Sequence, residues 1–320
     1  MDAETSRAAA GSLSPFTRMA FAALPQRPVR PHSYFSVPPR ELLMDSEQFG
    51  RIRIHFREFG AGEPLLLVHG LMTAGYSWRY VLEGLGAHFR LIIPDLPGAG
   101  RSEMPAGRLS AGSLSLWIGE FQAALGLRGC AAVGNSLGGY LCMRHALADP
   151  GAYSKLVNIH SPAFPMPRLY ALHAALSVPG IAALLSWWVR RDPASWAHRT
   201  VHYYDETVKS LEEVHEYGLP LESVEGTRAF VSYLRDVMNP RDFSEFASIL
   251  MQRKADGKPF PIPLQLIFSR RDPMVPPSVG DKLSTVIADA QMHWLDRSSH
   301  FAHVDRPDEV THLVSDFLGR

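Results

Sequence analysis

The chain has 320 residues, of which 46% are apolar, and it carries 32 basic and 32 acidic side chains. This length suits one α/β domain with an insertion, and the apolar share allows a large buried core. A formal net charge of zero without a basic stripe excludes the electrostatic pattern of a nucleic-acid-binding protein. The two cysteines, Cys130 and Cys142, flank one predicted turn, which argues against a disulfide and favours a reducing, cytoplasmic setting.

Residues 1–32 are rich in Ala, Ser, Pro and Arg. Their best apolar stretch, residues 19–24, is shorter than the roughly 7–15 residues of a secretory h-region. We therefore expect a flexible N-terminal extension over residues 1–32, with a short docking helix over residues 16–24 as the alternative.

Apolar runs rich in β-branched residues recur along the rest of the chain. Residues 51–59 alternate apolar and polar side chains and follow another apolar run, which predicts an initial antiparallel pair of strands. The later runs are mostly continuous, as in parallel strands that are buried on both faces. They lie at residues 65–70, 90–98, 130–136, 155–160, 263–272 and 290–296. Helical patterns at residues 113–125 and 138–148 alternate with them, which predicts an α/β fold with a mostly parallel central sheet and helices on both faces.

About a hundred residues separate the runs at 155–160 and 263–272, too many for a loop in a compact domain. Their aromatic, helical pattern predicts an inserted helical cap over residues 165–251, between core segments 33–164 and 252–320. Residues 169–189 contain no Asp, Glu, Lys or Arg and are long enough to span a bilayer. Pro179 and Gly180 interrupt them, so we favour two short apolar helices over a pocket and leave peripheral membrane contact open.

Chemistry-bearing side chains follow three of the predicted strands. Ser136 stands in the sequence GNSLGG, Asp272 in RRDP, and His300 in SSHF. The carboxyl ends of parallel strands meet at one edge of a sheet, so these residues should converge there. A serine hydroxyl needs a base within hydrogen-bond reach, and the base needs a third group to fix its tautomer. We predict Ser136 as the nucleophile, His300 as the base and Asp272 as the orienting acid.

The predicted turn at Ser136 runs directly from a strand into a helix. The positive N-terminus of that helix favours negative charge developing beside the serine. We predict the backbone N–H of Leu137 as one oxyanion donor. The N–H of Leu71, in the loop after His69 and Gly70, is predicted as the second.

These features together resemble the α/β-hydrolase fold superfamily, which places a small-x-nucleophile-x-Gly turn before the acid and the histidine. The segments HG (69–70), DLPGAGRS (95–102), RRDPMVP (270–276) and HFAHVDRP (300–307) resemble its other landmarks. The resemblance runs from about Arg40 to Arg320. It implies a serine hydrolase that forms an acyl-enzyme on Ser136 and needs neither a metal nor another cofactor.

The apolar composition of the cap predicts a hydrophobic small-molecule substrate, and we expect a carboxylic ester. The GNSLGG turn also resembles carbon–carbon bond hydrolases that cleave ring-fission dienone acids. That alternative needs a cation for the substrate carboxylate, which Arg190 or Arg191 could supply. Asn135, Met72 and Trp187 are further candidate substrate contacts. A non-catalytic ligand receptor that keeps the triad is a third interpretation, and the oligomeric state is left open.

Two other patterns predict no cofactor site. Gly98 and Gly100 follow a strand, but Glu103 stands where a dinucleotide-binding fingerprint has its third glycine. His198 and His202 could share a helix face, but no third zinc ligand accompanies them in the sequence.

Overall fold

The computed structural model describes residues 17–319. Within them, eight strands form one sheet in the order β1-β2-β4-β3-β5-β6-β7-β8. The strands are β1 (Pro39–Ser46), β2 (Gly50–Phe59), β3 (Glu63–Val68), β4 (Phe89–Pro94), β5 (Ala131–Asn135), β6 (Leu156–Ile159), β7 (Leu264–Ser269) and β8 (Gln291–Leu295). The pairs β1–β2 and β2–β4 are antiparallel, and all the other pairs are parallel. The predicted mostly parallel α/β sheet is confirmed.

Helices cover both faces of this sheet. They are α1 (Leu82–Gly86), α2 (Ala111–Ala124), α3 (Leu137–Ala148), α4 (Pro167–Ser177), α5 (Ile181–Arg191), α6 (Pro193–Thr200), α7 (Leu211–Gly218), α8 (Val224–Ser232), α9 (Pro240–Ala255), α10 (Pro277–Val286), α11 (Ala302–Asp305) and α12 (Pro307–Leu318). Side chains alternate across a strand, so Leu66 joins the core under α2 and α3, whereas Leu65 and Leu67 join the core under α1 and α12. Continuous apolar runs in the sequence thus correspond to strands buried on both faces.

The described part of the N-terminal segment, residues 17–32, packs against the insertion. Arg18 Nη1 lies 2.6 Å from Oε1 of the buried Glu206, and the N–H of Leu211 donates to the carbonyl of Pro25. Glu206 is almost fully shielded from water, and Arg18, Lys209 and His202 all approach its carboxylate. Residues 17–32 include a 3₁₀ turn at Phe21–Ala23, within the range of the alternative docking helix, and the flexible extension stays a prediction. Residues 1–16 of that prediction lie outside the described residues.

Six α-helices, α4 to α9, lie between β6 and β7, where the sequence predicts an inserted cap. The apolar stretch 169–189 forms two helices, as expected, because the chain breaks at Pro179 and at Gly180, whose φ is +87°. Helices α4 and α5 are bent by 99° relative to each other, and no single helix among the described residues is long and apolar enough to cross a membrane.

The predicted cap boundary at residue 251 falls inside α9. This helix packs on the core: the ring of Phe243 lies 4.4 Å from that of Tyr140 of α3, and Phe246 meets the same ring edge-on at 5.0 Å. The division of the chain into core and cap stays a prediction, but α9 bridges the two.

Candidate active site

Ser136 lies at a sharp bend between β5 and α3. Its φ of 52° is in the left-handed region, where a residue with a side chain is strained and often functional. The bend is so tight that a Cβ at Gly138 would lie 2.2 Å from the carbonyl oxygen of Val68. A Cβ at Gly134 would lie 2.5 Å from Gly139. These contacts explain why the sequence places glycines on both sides of the serine.

Two elements that adjoin Ser136 carry the predicted oxyanion donors. Helix α3 begins with Leu137, directly after the serine. The loop after β3 passes beside the serine, since a Cβ at Gly70 would lie 3.2 Å from that of Ser136. Leu71 is the next residue of that loop and lines the same cavity as Ser136.

His69 holds this loop in place. Its Nδ1 lies 2.8 Å from the carbonyl oxygen of Gly70, and its Nε2 lies 2.9 Å from the backbone nitrogen of Leu96, which donates to it. Burial lowers the pKa of His69, so the ring is neutral and can donate at one nitrogen while accepting at the other. The side chain therefore ties the loop after β3 to the loop after β4.

Asp272 and His300 are in direct contact. Nδ1 of His300 lies 2.7 Å from Oδ2 of Asp272, and both side chains are buried. Oδ1 accepts hydrogen bonds from the backbone N–H groups of Met274 and Val275, at 2.6 and 2.9 Å. Burial by itself would raise the pKa of Asp272, but His300 and its second neighbour His160 outweigh this effect and hold the pKa below its usual range. An ionised carboxylate is thus aimed at the ring that the sequence assigns as the base.

His160 is a candidate site residue that the sequence analysis missed. It directly follows β6, so the rule that strand ends meet at one edge could have found it. One ligand atom each from His160, Asp272 and His300 lies within 4.8 Å of the others, and two imidazoles with a carboxylate are suitable metal ligands by type. The approach of both rings to the same carboxylate oxygen accounts for this clustering without an ion.

Ser136 and His300 line one cavity, which we call the catalytic cavity. Its walls are otherwise largely apolar and contain four methionines: Met72, Met166, Met238 and Met274. Among the lining residues, Arg168 at the start of α4 carries the one permanent charge. Its Nη1 lies 3.4 Å from the carbonyl oxygen of Pro273, next to Asp272.

A second cavity adjoins the first and is lined by loops of the core and by helices α7 and α8 of the insertion. Leu71 and Met72 line both cavities and so form the wall between them. Met72, a predicted substrate contact, has a φ of 60°, which is a strained conformation. It lies in the wall between the two cavities.

The structure does not bring the other predicted substrate contacts into the catalytic cavity. Trp187 lies on the outer face of α5 with 49% of its surface exposed, and Arg191 stacks over its ring. Arg190 lies 3.4 Å from Thr227 Oγ1 of α8, because α5 packs on α8 through this side. Neither Arg190 nor Trp187 lines either cavity, and their contact with substrate stays a prediction.

Asn135 also has a different position from the one expected. It is fully buried, and its Nδ2 donates to the backbone carbonyl oxygens of Ile159 and His300, at 3.3 and 3.2 Å. It therefore links the serine turn to the histidine loop and does not line the catalytic cavity. A short amide at this position fixes the spacing between the two loops.

Comparisons with known proteins agree with this architecture. Residues 63–307 match the model of the α/β-hydrolase fold family. A 2-hydroxy-6-oxononadienedioate/2-hydroxy-6-oxononatrienedioate hydrolase of Cupriavidus pinatubonensis is 30% identical over 83% of this chain and 91% of its own length. A pimeloyl-[acyl-carrier protein] methyl ester esterase of Vibrio vulnificus is 26% identical, over 83% of this chain and 98% of its own.

Among solved structures, the meta-cleavage product hydrolase of Pseudomonas fluorescens superposes with a TM-score of 0.66 at 21% identity, covering 89% of this chain and 98% of its own. At that identity the likeness concerns the fold alone. The extent of the family match, together with the curated relatives, gives the assignment: this chain is a hydrolase that belongs to the α/β-hydrolase fold family.

Proposed function

We propose that this enzyme hydrolyses a carbon–carbon bond next to a ketone in a dienone acid, with Ser136, His300 and Asp272 as its catalytic triad. Curated relatives that match over more than four-fifths of this chain are named as hydrolases of 2-hydroxy-6-oxo dienoates, and another as a 2-hydroxymuconate semialdehyde hydrolase. This interpretation replaces the carboxylic ester as the favoured substrate. The observation that carries it in the structure is the presence of Arg168 in the catalytic cavity.

Arg168 is suited to bind a substrate carboxylate. A guanidinium offers two parallel N–H donors to a carboxylate, and a largely apolar wall strengthens that pair. In the structure its hydrogen bonds are long: 3.4 Å to the carbonyl of Pro273 and 3.7 Å to the sulfur of Met166. Donor capacity therefore remains for a ligand in the cavity. This residue takes the role that the sequence analysis gave to Arg190 or Arg191.

The first half of the proposed reaction forms an acyl-enzyme. His300 removes the proton of Ser136 as Oγ bonds to the ketone carbon, and the carbonyl oxygen becomes an oxyanion bound by the N–H groups of Leu71 and Leu137. When the carbonyl re-forms, the carbon–carbon bond breaks and its electron pair stays on the dienone acid as an enolate. His300 returns its proton to that carbon, and Asp272 stabilises the charged ring in between.

The second half releases the acyl group. His300 takes a proton from water as the water oxygen attacks the acyl carbon, and the same oxyanion donors are used again. Collapse of this intermediate frees a carboxylic acid and returns the proton to Ser136. One water is consumed for each bond broken, and the chain's own residues perform every proton transfer.

Ester hydrolysis is the second candidate, because the same acyl-enzyme forms when the leaving group is an alcohol. The esterase from Vibrio vulnificus and the four methionines of the catalytic cavity favour it. Methionine side chains adapt to irregular apolar groups, so the cavity could accept an alkyl ester.

The test compares two substrates on the same protein. A vinylogous diketone acid and a neutral ester with the same acyl group are each assayed with wild type and with Ser136→Ala. We expect the acid to give the higher kcat/KM, and Ser136→Ala to abolish turnover of both. Faster turnover of the ester would overturn the carbon–carbon assignment. Undiminished turnover of both substrates by Ser136→Ala would overturn the mechanism itself.

We also propose that the tip formed by α4 and α5 touches a membrane surface. Val178, Leu184, Trp187 and Trp188 each expose about half of their surface there. Tryptophan prefers the membrane–water interface, and Arg191, stacked on Trp187, can bind an anionic headgroup. A lipid surface at this position would lie next to the helices that line the cavities.

A further inference from the structure

His160 has a backbone conformation that costs free energy. It lies directly after β6 with a φ of 57°, in the left-handed region, and it is completely buried. Such a conformation at a residue with a side chain persists only where its surroundings enforce it, and it clusters at functional sites. Its effect here is to direct the imidazole toward Asp272.

The ring of His160 contacts the same carboxylate oxygen as the predicted base. Its Nδ1 lies 2.9 Å from Oδ2 of Asp272, and that oxygen lies 2.7 Å from Nδ1 of His300. Nδ1 of His160 makes no well-aligned hydrogen bond among the described residues, so its contact with Asp272 is a close electrostatic approach.

The tautomer of His160 follows from its other nitrogen. Nε2 lies 3.0 Å from the hydroxyl of Ser269, which ends β7. Burial lowers the pKa of His160, against the opposing effect of Asp272, so the ring is neutral near pH 7. If Ser269 donates to Nε2, the single ring proton is on Nδ1 and faces the carboxylate.

We propose that His160 is a positioning residue that shares the triad carboxylate of Asp272 with His300. The shared oxygen has two consequences. The carboxylate is held at both oxygens, because the N–H groups of Met274 and Val275 already fix Oδ1. In addition, a carboxylate oxygen that faces the rings of both His160 and His300 stabilises the protonated ring of His300 less, so His300 returns its proton more readily. The inference rests on the triad of the proposed function and adds a fourth side chain to it.

Several other charged or titratable groups surround this pair. His303 faces it from α11, and Arg79 lies near His303. Arg168 of α4 acts on Asp272 from the side of the insertion. Asp305 binds Ser299, the residue before His300. Replacing His160 also removes its effect on the pKa of His303, so two variants that differ in an N–H donor are needed to assign a change in pH dependence to the shared carboxylate.

The test uses two substitutions at one position. His160→Leu removes both ring nitrogens. His160→Asn keeps an N–H donor near the position of Nδ1, and asparagine tolerates the left-handed conformation. The readout is the rate of Ser136 phosphonylation by a fluorophosphonate as a function of pH, followed by intact mass. This rate depends on His300 as base and not on the identity of the natural substrate, so it remains informative even if the proposed carbon–carbon activity is wrong.

We expect His160→Leu to slow phosphonylation about 10-fold. We also expect the acidic limb of the pH–rate profile to shift to higher pH, by about half a pH unit. His160→Asn should restore the limb to its wild-type position. A uniform loss of rate at all pH values, with the limb unmoved, would reduce His160 to a structural role and overturn the proposal. If His160→Leu does not fold, Ser269→Ala, which removes the tautomer contact, should shift the limb in the same direction. An unmoved limb in that variant also overturns the proposal.

Discussion

The carboxyl edge of the sheet and the helical insertion above it differ in how their residues are positioned. At the sheet edge, the residues that follow β5, β7 and β8 come together because parallel hydrogen bonding fixes where each strand ends. In the insertion, which face of a helix meets the cavity depends on packing angles between short helices. Chemistry at strand ends can therefore be predicted from order along the chain, whereas substrate contacts from the insertion cannot.

The largest expected effect tests the sheet edge. Asp272→Asn keeps the size of the side chain but removes the charge that orients and stabilises His300. We expect kcat to fall by about 10⁴-fold, as for other triads with the wrong tautomer. Kinetics on the preferred substrate measure this loss.

The matched control is Asp281→Asn on α10, whose side chain is 60% exposed. It should leave kcat unchanged. A loss below about 10-fold for Asp272→Asn would mean that the acid at this edge does not serve the histidine.

The next effect tests the insertion. Arg168→Met keeps an unbranched side chain and removes the charge. Since a hydrogen bond to a charged group contributes about 1.5–3 kcal/mol, we expect KM for a dienone acid to rise about 10- to 100-fold, with little change for a neutral ester.

Arg190→Met is the control for that experiment, because Arg190 lies against Thr227 outside the cavity lining. We expect it to leave both KM values near wild type. If Arg190→Met instead raised KM for the dienone acid and Arg168→Met did not, Arg190 would be the residue that binds the substrate carboxylate, as the sequence suggested.

Asp305 joins the two regions. Its carboxylate accepts hydrogen bonds from the backbone N–H of Ser299, beside His300, and of Tyr204, in the insertion, at 2.7 and 2.8 Å. Burial raises its pKa to about 7, although these N–H groups oppose the shift. The folded state therefore binds this proton more tightly than the unfolded state. The contribution of Asp305 to the free energy of unfolding must fall as the pH rises from about 4 to about 7.

Asp305→Asn removes that dependence. Thermal unfolding across this pH range should show a smaller decline of Tm with rising pH for the variant than for wild type. Parallel plots of Tm against pH for the two proteins would mean that Asp305 is ionised across this pH range. The N–H groups that lower its pKa would then outweigh the burial that raises it.

The smallest effect concerns the outer surface of the insertion. Replacing Trp187 and Trp188 by Ala should reduce binding to anionic phospholipid vesicles several-fold in a co-sedimentation assay. Leu116→Ala on α2, a similarly exposed apolar residue of the core, should not change binding. Equal binding of all three proteins, or no binding by wild type, would remove the membrane proposal.

The sequence predicts the sheet and the set of strand-end residues because both depend on local patterns and chain order. It does not predict that Arg168 lines the catalytic cavity and that Arg190 does not. That difference depends on how α4 and α5 are oriented, which the sequence pattern does not show. Asn135 shows a related limit: the pattern identifies its position beside Ser136, but its contact with the backbone of His300 depends on a loop 165 residues away. His160 is different, because its place after β6 is visible in the sequence. Its backbone conformation and its contact with Asp272 are visible only in three dimensions.

The most direct test of the central claim is intact mass after treatment with a fluorophosphonate, for wild type and Ser136→Ala. An activated serine in an assembled site predicts one adduct on the wild-type protein and none on the variant. Folded wild-type protein without an adduct, or an equal adduct on Ser136→Ala, would contradict the assignment of Ser136 as the nucleophile and with it the catalytic account given above.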